Sequence, residues 1–490
     1  MRQITLQIPS VYDIINIDML IKLFPKLGDN FIIKYIKRGL ESRYSAILIA
    51  ALTLLSNLFS LEFPVFYTFT VIIAFAALFC DDMLCLLPMA CCSYFTFSKT
   101  NNPLSSSHTS VFLEKSTRNS FWVIVAVVAV FVIGRLVFDL VTNKERRRFP
   151  KLTWGFVALG LAFVLGGLFS PLYGVKTAFF GLTEILAMSF SYFYFYFTVD
   201  FKKVDKSYFA YLMIVVGFLL CGEVVGMLYY GGFFSAEGEF SRSKLYTGWG
   251  MYNNVAGALI MCLPAPFYYA TTKKHGWAYL LLGNVFLVAL FFAQSRGGII
   301  FGTALYALCL FVMLWKTSKR LPLIVAEMAV LTVAGLICLF FKEQLWNMFY
   351  SVIQRGLDDS NRFNIYISGL KQFLDYPVFG NGFYACENFR WGDKDIGGFL
   401  PPRYHNTYVQ LLASGGAVAF IAYIFHRYQT ISMVFKKRNV EKYFIGMCIL
   451  GLLLTSILDC HFFNFGPGFT YSALLLLLEI DWTRTPDEKK

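Results

Sequence analysis

The chain has 490 residues, of which 57% are hydrophobic and 15% charged, whereas an ordinary soluble domain carries roughly 45–50% apolar and about 25% charged residues. That imbalance excludes a water-soluble globular protein and makes lipid the solvent. The net charge of +13 does not mark a nucleic-acid surface, because Lys and Arg fall in short clusters between apolar runs rather than in one patch.

Residues 1–43 lack the apolar stretch and small-residue cleavage site of a signal peptide, and read as a cytoplasmic segment with amphipathic character that lies on the membrane surface. Apolar runs follow at 44–61, 63–80, 83–98, 120–141, 152–170, 175–199, 208–230, 251–270, 277–295, 297–315, 322–342, 404–425, 443–459 and 467–480. A helix of about twenty residues crosses a hydrocarbon core of roughly 30 Å. The runs are continuous rather than alternating, so helices satisfy the backbone in lipid and a barrel does not arise. The expectation is an all-α, polytopic transmembrane helical bundle of about 14 spans with both termini cytoplasmic. Its parts are the segment 1–43, a transmembrane domain over 44–480 and a cytoplasmic tail over 481–490.

Orientation follows from the enrichment of Lys and Arg in short cytoplasmic loops. With the N-terminus inside, the inner segments hold 28 Lys or Arg and the short outer loops 5. The sixty-residue connection 343–403 then falls outside as a large extracytoplasmic loop. Long loops that are not disordered tend to carry function. Its middle, SNRFNIYISGLKQFLDYP, has helical spacing, with Ser360 or Asn361 as cap and Pro377 as stop, and predicts a surface helix. The following YPVFGNGF predicts a tight turn at Pro377, Gly380 and Gly382 that offers a substrate-facing edge. Eleven cysteines are scattered, mostly inside apolar runs, without metal-ligand spacing. They read as small core residues and imply neither a disulfide framework nor zinc.

Ionisable groups at membrane depth are costly, so the few present are functional candidates. Arg296, in QSRGG, stands at the predicted outer end of a span. The bland reading is an arginine snorkelling to headgroups. The chemical one is a planar fork for phosphate oxygens, with Gly297 and Gly298 admitting a large anionic headgroup to the backbone. Arg362, at the start of the loop helix, faces the same side; a solvated surface arginine is its plain alternative. His405, followed by Asn406 at the outer end of a span, is either an interfacial residue or a general base for a sugar hydroxyl. His461, beside Asp459 in DCHFFNFG, faces the same side and is a secondary candidate, as are Asn406 and Asn254. Asn253 and Asn254 read first as helix caps. His108, His275 and His426 read as loop or interface residues. The DKD at 393–395 has a metal-binding pattern, but lies on the face where nucleotide sugars are absent.

The order SRGG at the head of a span, an arginine opening a loop helix, P-x-x-G-x-G, and His-Asn followed by Gly416 resembles the O-antigen ligase and Wzy-type O-antigen polymerase superfamily, with a matching core over about 280–425. The Asn254 segment is similar to a family feature as well. The ligase pattern places a second small or polar residue three positions after the glycine; Ala419 stands there as a departure, so the resemblance implies a ligase or a polymerase without choosing between them. The resemblance implies a bacterial glycosyltransferase of the cytoplasmic (inner) membrane. It would act at the extracytoplasmic face without metal or other cofactor, moving glycan from a polyprenyl diphosphate carrier such as undecaprenyl diphosphate to a hydroxyl on a glycan or glycolipid acceptor. Ligases of this kind proceed with inversion. Arg296 and Arg362 would bind the diphosphate and His405 would activate the acceptor. The competing class is a transporter or flippase of the same lipid-linked glycan, which would commonly show internal repeats and broken midplane helices; the sequence shows neither. The third reading is a structural or sensory membrane protein without an active site.

Overall fold

The computed structural model describes residues 30–96, 118–142, 149–233, 246–247, 250–343, 345–346, 349–350, 362–383, 403–436 and 439–480. Its helices, in chain order, are α1 (Phe31–Leu40), α2 (Tyr44–Leu58), α3 (Glu62–Phe79), α4 (Leu87–Cys92), α5 (Arg118–Thr142), α6 (Thr153–Val164), α7 (Val175–Thr198), α8 (Tyr208–Tyr230), α9 (Tyr252–Cys262), α10 (Pro264–Thr272), α11 (Gly276–Phe292), α12 (Arg296–Lys316), α13 (Arg320–Phe340), α14 (Arg362–Asp375), α15 (Thr407–Lys436), α16 (Val440–Thr455) and α17 (Phe465–Glu479). The only strands among the described residues are an antiparallel pair of two residues each, 246–247 with 250–251. A helix occupies every one of the expected apolar runs. Among the described residues, eight helical stretches are long and apolar enough to cross a membrane by themselves. The chain is therefore a polytopic, all-helical membrane protein.

Burial separates inner helices from outer ones. In Tyr252–Thr272, 89% of the apolar window is enclosed, against 6% in Arg118–Thr142 and 11% in Arg320–Phe340; the first is central, and the other two present their surfaces to lipid. The run Val255–Ala256–Gly257–Ala258 is wholly buried in α9, and small residues there let neighbouring backbones come close. The outer helices are held by polar staples, since lipid gives apolar side chains no reason to leave it. In α5 only Arg135 and Asp139 are buried. Arg135 pairs with Asp139 at 2.8 Å and donates to the carbonyls of Cys80 at 2.6 Å and Asp81 at 2.8 Å, just past the C-terminal end of α3. In α13 the buried residues are Leu323 and Glu327. Glu327 accepts from Tyr306 at 2.6 Å and from Asn284 at 3.0 Å.

The segment expected at 83–98 is a composite of 3-10 helix, α4 and 3-10 helix over Leu84–Thr96. Pro88 near its start and the side chains of Cys91 and Cys92, both wholly buried, keep it inside the protein. Its ends still lie far apart along the bundle. Met83 N–H donates to Thr198 at the close of α7, and the Phe95 carbonyl accepts from Asn57 at the close of α2. At the N-terminal side, α1 leaves Phe31, Ile32, Tyr35 and Ile36 exposed beside Lys34 and Arg38, while Lys37 pairs with Asp81.

The turn after α14 departs from expectation. Its glycine end, Gly380 to Gly382, is buried and closes a break in α15, while Pro377 and Val378 remain exposed. Gly416, at φ 64° and ψ −162°, interrupts that helix. Lipid would leave the freed backbone groups unsatisfied, and the turn supplies partners. Asn381 and Gly382 N–H donate to the carbonyls of Ala413 and Ser414, while Ala417 and Val418 N–H donate to those of Pro377 and Val378. Gly167 N–H donates to Phe379 at 2.7 Å, adding the end of α6. Such contact requires glycine. A Cβ on Gly380, whose φ is +68°, would lie 2.5 Å from the Ser414 carbonyl carbon.

Gly380→Ala is expected to destabilise the protein by about 1–3 kcal/mol, the scale of a forced left-handed residue, read as a lower thermal midpoint in detergent. Gly160→Ala, where an added Cβ meets nothing within 4 Å, should leave the midpoint unchanged or slightly raised. Equal midpoints for the two variants would contradict the requirement for glycine at Gly380.

Candidate functional site

Three helices open on one cleft. Its walls include Tyr252 and Asn253 at the start of α9, Arg296, Gly297 and Gly298 at the start of α12, and Arg362 at the start of α14, with Asp459 and His461 completing it. Each helix N-terminus presents N–H groups that have no partner within the helix, at the positive end of a macrodipole. Two guanidinium groups stand at the same place. The summed field favours an anion, and phosphate is the anion such ends commonly bind.

Local bonding fixes each wall. Ser295 caps α12 by accepting from Gly298 N–H at 3.2 Å, and its hydroxyl donates to Asn253 Oδ1 at 2.8 Å; this ties the first turns of α12 and α9 together. The glycines of SRGG have a packing role that the sequence reading did not foresee. A Cβ on Gly297 would lie 2.0 Å from Leu458, and one on Gly298 would lie 2.9 Å from Ala256. Arg362 Nη1 donates to the Leu458 carbonyl at 2.7 Å, so the loop helix is anchored to the turn between α16 and α17.

His405 does not line the cleft itself but contacts Asp459, which does. The structure ends α16 at Thr455, which leaves Asp459 outside the helix, where its Oδ1 lies 3.2 Å from His405 Nδ1. Asp459 Oδ1 also accepts from Cys460 N–H at 2.8 Å. Burial pushes the Asp459 carboxyl up, but the hydrogen bond to His405, the neighbouring imidazole charges and the Cys460 amide hold it well below the usual carboxylate range. Asp459 is placed to accept a proton from His405 Nδ1, and in the tautomer that carries it there the ring lone pair is on Nε2. Asp459 is the member of the constellation that sequence reasoning missed as a partner of His405. The signal available was its place beside His461 at the end of a span, where a carboxylate is expensive.

Backbone strain concentrates here. Of four non-glycine residues with positive φ among the described residues, two are Gln294 at 54° and His405 at 51°. Such a conformation costs of order 1–3 kcal/mol and persists only where surroundings over-determine it. Tyr366 donates to the His405 carbonyl at 3.1 Å, and Thr407 N–H donates to Ser456 at 2.9 Å.

The secondary candidates divide. Asn406 accepts from Tyr408 and Val409 N–H at 2.9 and 3.1 Å and donates to Ile457 at 2.8 Å; it caps α15 and holds the turn. Asn254 accepts from Asn464 at 3.2 Å and braces α9 against the start of α17. His461 is buried with its ring against Gly257, where a Cβ would lie 2.7 Å from Cε1. Burial lowers its basicity, partly offset by Asp459, and it lines the cleft. His426 is not an interface residue: it is wholly buried in α15, bonded to Tyr471 at 3.0 Å. Its neighbour Arg427, counted among inner-loop cations, is instead enclosed by the rings of Tyr423, Phe462 and Tyr471 at 4.6–4.9 Å. His275 is exposed at the start of α11. His108 and the DKD at 393–395 lie outside the described residues.

Fold and cleft together define a multi-pass membrane protein with a cationic, histidine-bearing recess at one end of its helices. Residues 280–424 match the family model described as O-Antigen ligase, which supports placing the chain in the O-antigen ligase and Wzy-type superfamily. In general terms this implies a membrane glycosyltransferase with lipid-linked glycan and glycan acceptor as partners. The matched stretch contains Arg296, Arg362 and His405; Asn253, Asp459 and His461 lie outside it and reach the cleft through the fold. No curated protein matches the chain.

Asp459→Asn should cut turnover by about 10²–10⁴-fold, the usual range for a lost acid–base contribution, because an amide does not stabilise the imidazolium. The parent should also lose stability as pH falls below about 4. The lowered carboxyl stabilises the fold above its unfolded pKa, and that contribution disappears as pH passes down through the folded value. An Asp459→Asn variant with parental turnover and parental acid sensitivity would contradict both statements.

Proposed function

We propose that this protein transfers or polymerises polyprenyl-diphosphate-linked glycan units onto a hydroxyl acceptor at the extracytoplasmic face of the bacterial inner membrane, in surface polysaccharide biosynthesis. The observation that supports the reading is that Arg296, Arg362 and Asp459 line one cleft built from helix N-termini, with His405 paired to Asp459 behind its wall. Residues distant in sequence meet where the chemistry needs them.

The step is a single displacement. The acceptor O–H gives its proton to His405 Nε2 while its oxygen forms a bond to the anomeric carbon of the donor. The bond from that carbon to the diphosphate oxygen breaks, and its electron pair leaves with the diphosphate. Arg296 and Arg362 neutralise the charge that grows there, and inversion at the anomeric carbon follows. Diphosphate is already a good leaving group, so two cations and one base address the remaining barriers of charge and weak nucleophilicity. In this reading the guanidinium groups and helix ends take the part a divalent cation plays elsewhere, and the reaction proceeds without a metal. The orientation that puts the cleft outside rests on the Lys and Arg distribution, and moving Arg427 from loop to core changes that count by one.

The assay is release of polyprenyl diphosphate from lipid-linked glycan extracted from the producing cells, with the purified protein in vesicles. His405→Ala should lower turnover by about 10²–10⁴-fold, with donor KM little changed. Arg296→Ala and Arg362→Ala should each raise KM and lower turnover. Chelation of divalent metal should leave the rate intact. Parental turnover from His405→Ala removes the base assignment, and a rate abolished by chelator and restored by a divalent metal removes the metal-free reading.

A further inference from the structure

Arg403 and Glu184 form an ion pair away from the cleft walls, and the reaction described above does not use it. Arg403 Nη1 donates to Glu184 Oε2 at 2.9 Å, with side chains 20% and 6% exposed. Glu184 lies nine residues into α7, which begins at Val175 and is one of the helices long and apolar enough to cross the membrane. A carboxylate at that depth is expensive unless something depends on it. Arg403 stands two residues before His405, and its guanidinium also lies over the Phe463 ring at 5.2 Å. Phe463 belongs to the turn that carries Asp459 and His461. One guanidinium thus touches a transmembrane helix and the aspartate's turn, and is joined by two peptide units to the histidine.

His405 needs such a hold. Its φ of 51° is a conformation that a histidine leaves unless both flanks are fixed. On the C-terminal flank, Asn406 and Thr407 are bonded to Ile457 and Ser456. On the N-terminal flank, Tyr404 N–H donates to Gln410 at 3.0 Å, and the next side chain back is Arg403. Arginine suits this position because one planar group can pair with a carboxylate and cover an aromatic face at once.

We propose that the Arg403–Glu184 ion pair is a positioning element for the base: it pins the N-terminal flank of His405 to α7 and keeps the imidazole in register with Asp459. The inference rests on the proposed role of His405 and adds to it the residues that set the geometry. The pair bears on the chemical step, because displacement of a catalytic group by about 1 Å can cost on the order of 10²-fold in rate. It does not touch the diphosphate cations, so donor binding is separate from it.

The test removes both charges together, since taking one leaves the other buried and unpaired, whereas apolar replacement of a buried pair is often tolerated. Glu184→Leu with Arg403→Met is expected to keep the parental thermal midpoint, to lower kcat by about tenfold to a hundredfold and to leave donor KM within about twofold. Arg403→Lys, which keeps the charge and loses the fork, should fall between parent and double variant, and serves as the readout if the double variant does not accumulate. Release of polyprenyl diphosphate from extracted lipid-linked glycan is followed for both, beside His405→Ala. A stable double variant with parental kcat, or Arg403→Lys with parental kcat, overturns the positioning role while leaving the base reading in place. An effect confined to KM also overturns it. Full turnover from His405→Ala brings down both readings together.

Discussion

The structure depends on bringing positive charge to one place at the edge of a low-dielectric medium. In the proposed reading, a lipid-linked diphosphate that enters the cleft gives up part of its hydration, and the protein would replace it. The fixed groups at that cleft are the guanidinium groups of Arg296 and Arg362 and the N–H ends of α9, α12 and α14. Fixed dipoles require no reorganisation when charge develops, which is why such sites are worth more than the same groups in water. The same field would repel a protonated base, and the carboxylate of Asp459 counters it beside His405.

Positioning these groups explains features that would otherwise look like defects. The break at Gly416 shortens the straight run of α15, and the turn at Pro377–Gly382 repairs the hydrogen bonds that the break frees. That repair also fixes where α14 ends, and therefore where Arg362 begins it. Residues 362–382 act as one piece: its first residue reaches the Leu458 carbonyl and its last ones clasp Ala413 and Ser414. The outer helices, by contrast, need only single polar staples such as Arg135 and Glu327, because their remaining surface is already suited to lipid.

Much of this was legible in the sequence, for a physical reason. In lipid the hydrophobic run marks the helix, so 443–459 became Val440–Thr455 and 467–480 became Phe465–Glu479, whereas 404–425 extends to Thr407–Lys436, 152–170 shrinks to Thr153–Val164 and 251–270 divides into two helices. Arg296, Arg362 and His405 were visible because charge at membrane depth is rare. What composition could not show was pairing. That Asp459 belongs to His405, that Arg403 belongs to Glu184, and that Arg427 lies among aromatic rings rather than in a loop are facts of three-dimensional approach between distant segments. The glycine-rich turn was foreseen as a turn but not as a buried one, since its partners lie on α6 and α15. The glycines after Arg296 were read as room for a headgroup, whereas the structure uses their missing side chains to admit Leu458 and Ala256.

The most direct measurement of the central claim compares how tightly the purified protein binds polyprenyl diphosphate and polyprenyl monophosphate, with and without the charges of Arg296 and Arg362. The account predicts that the parent prefers the diphosphate and that a variant carrying glutamine at both positions binds the two lipids alike. A preference that survives in that variant would mean that the diphosphate is held elsewhere, and would contradict the account.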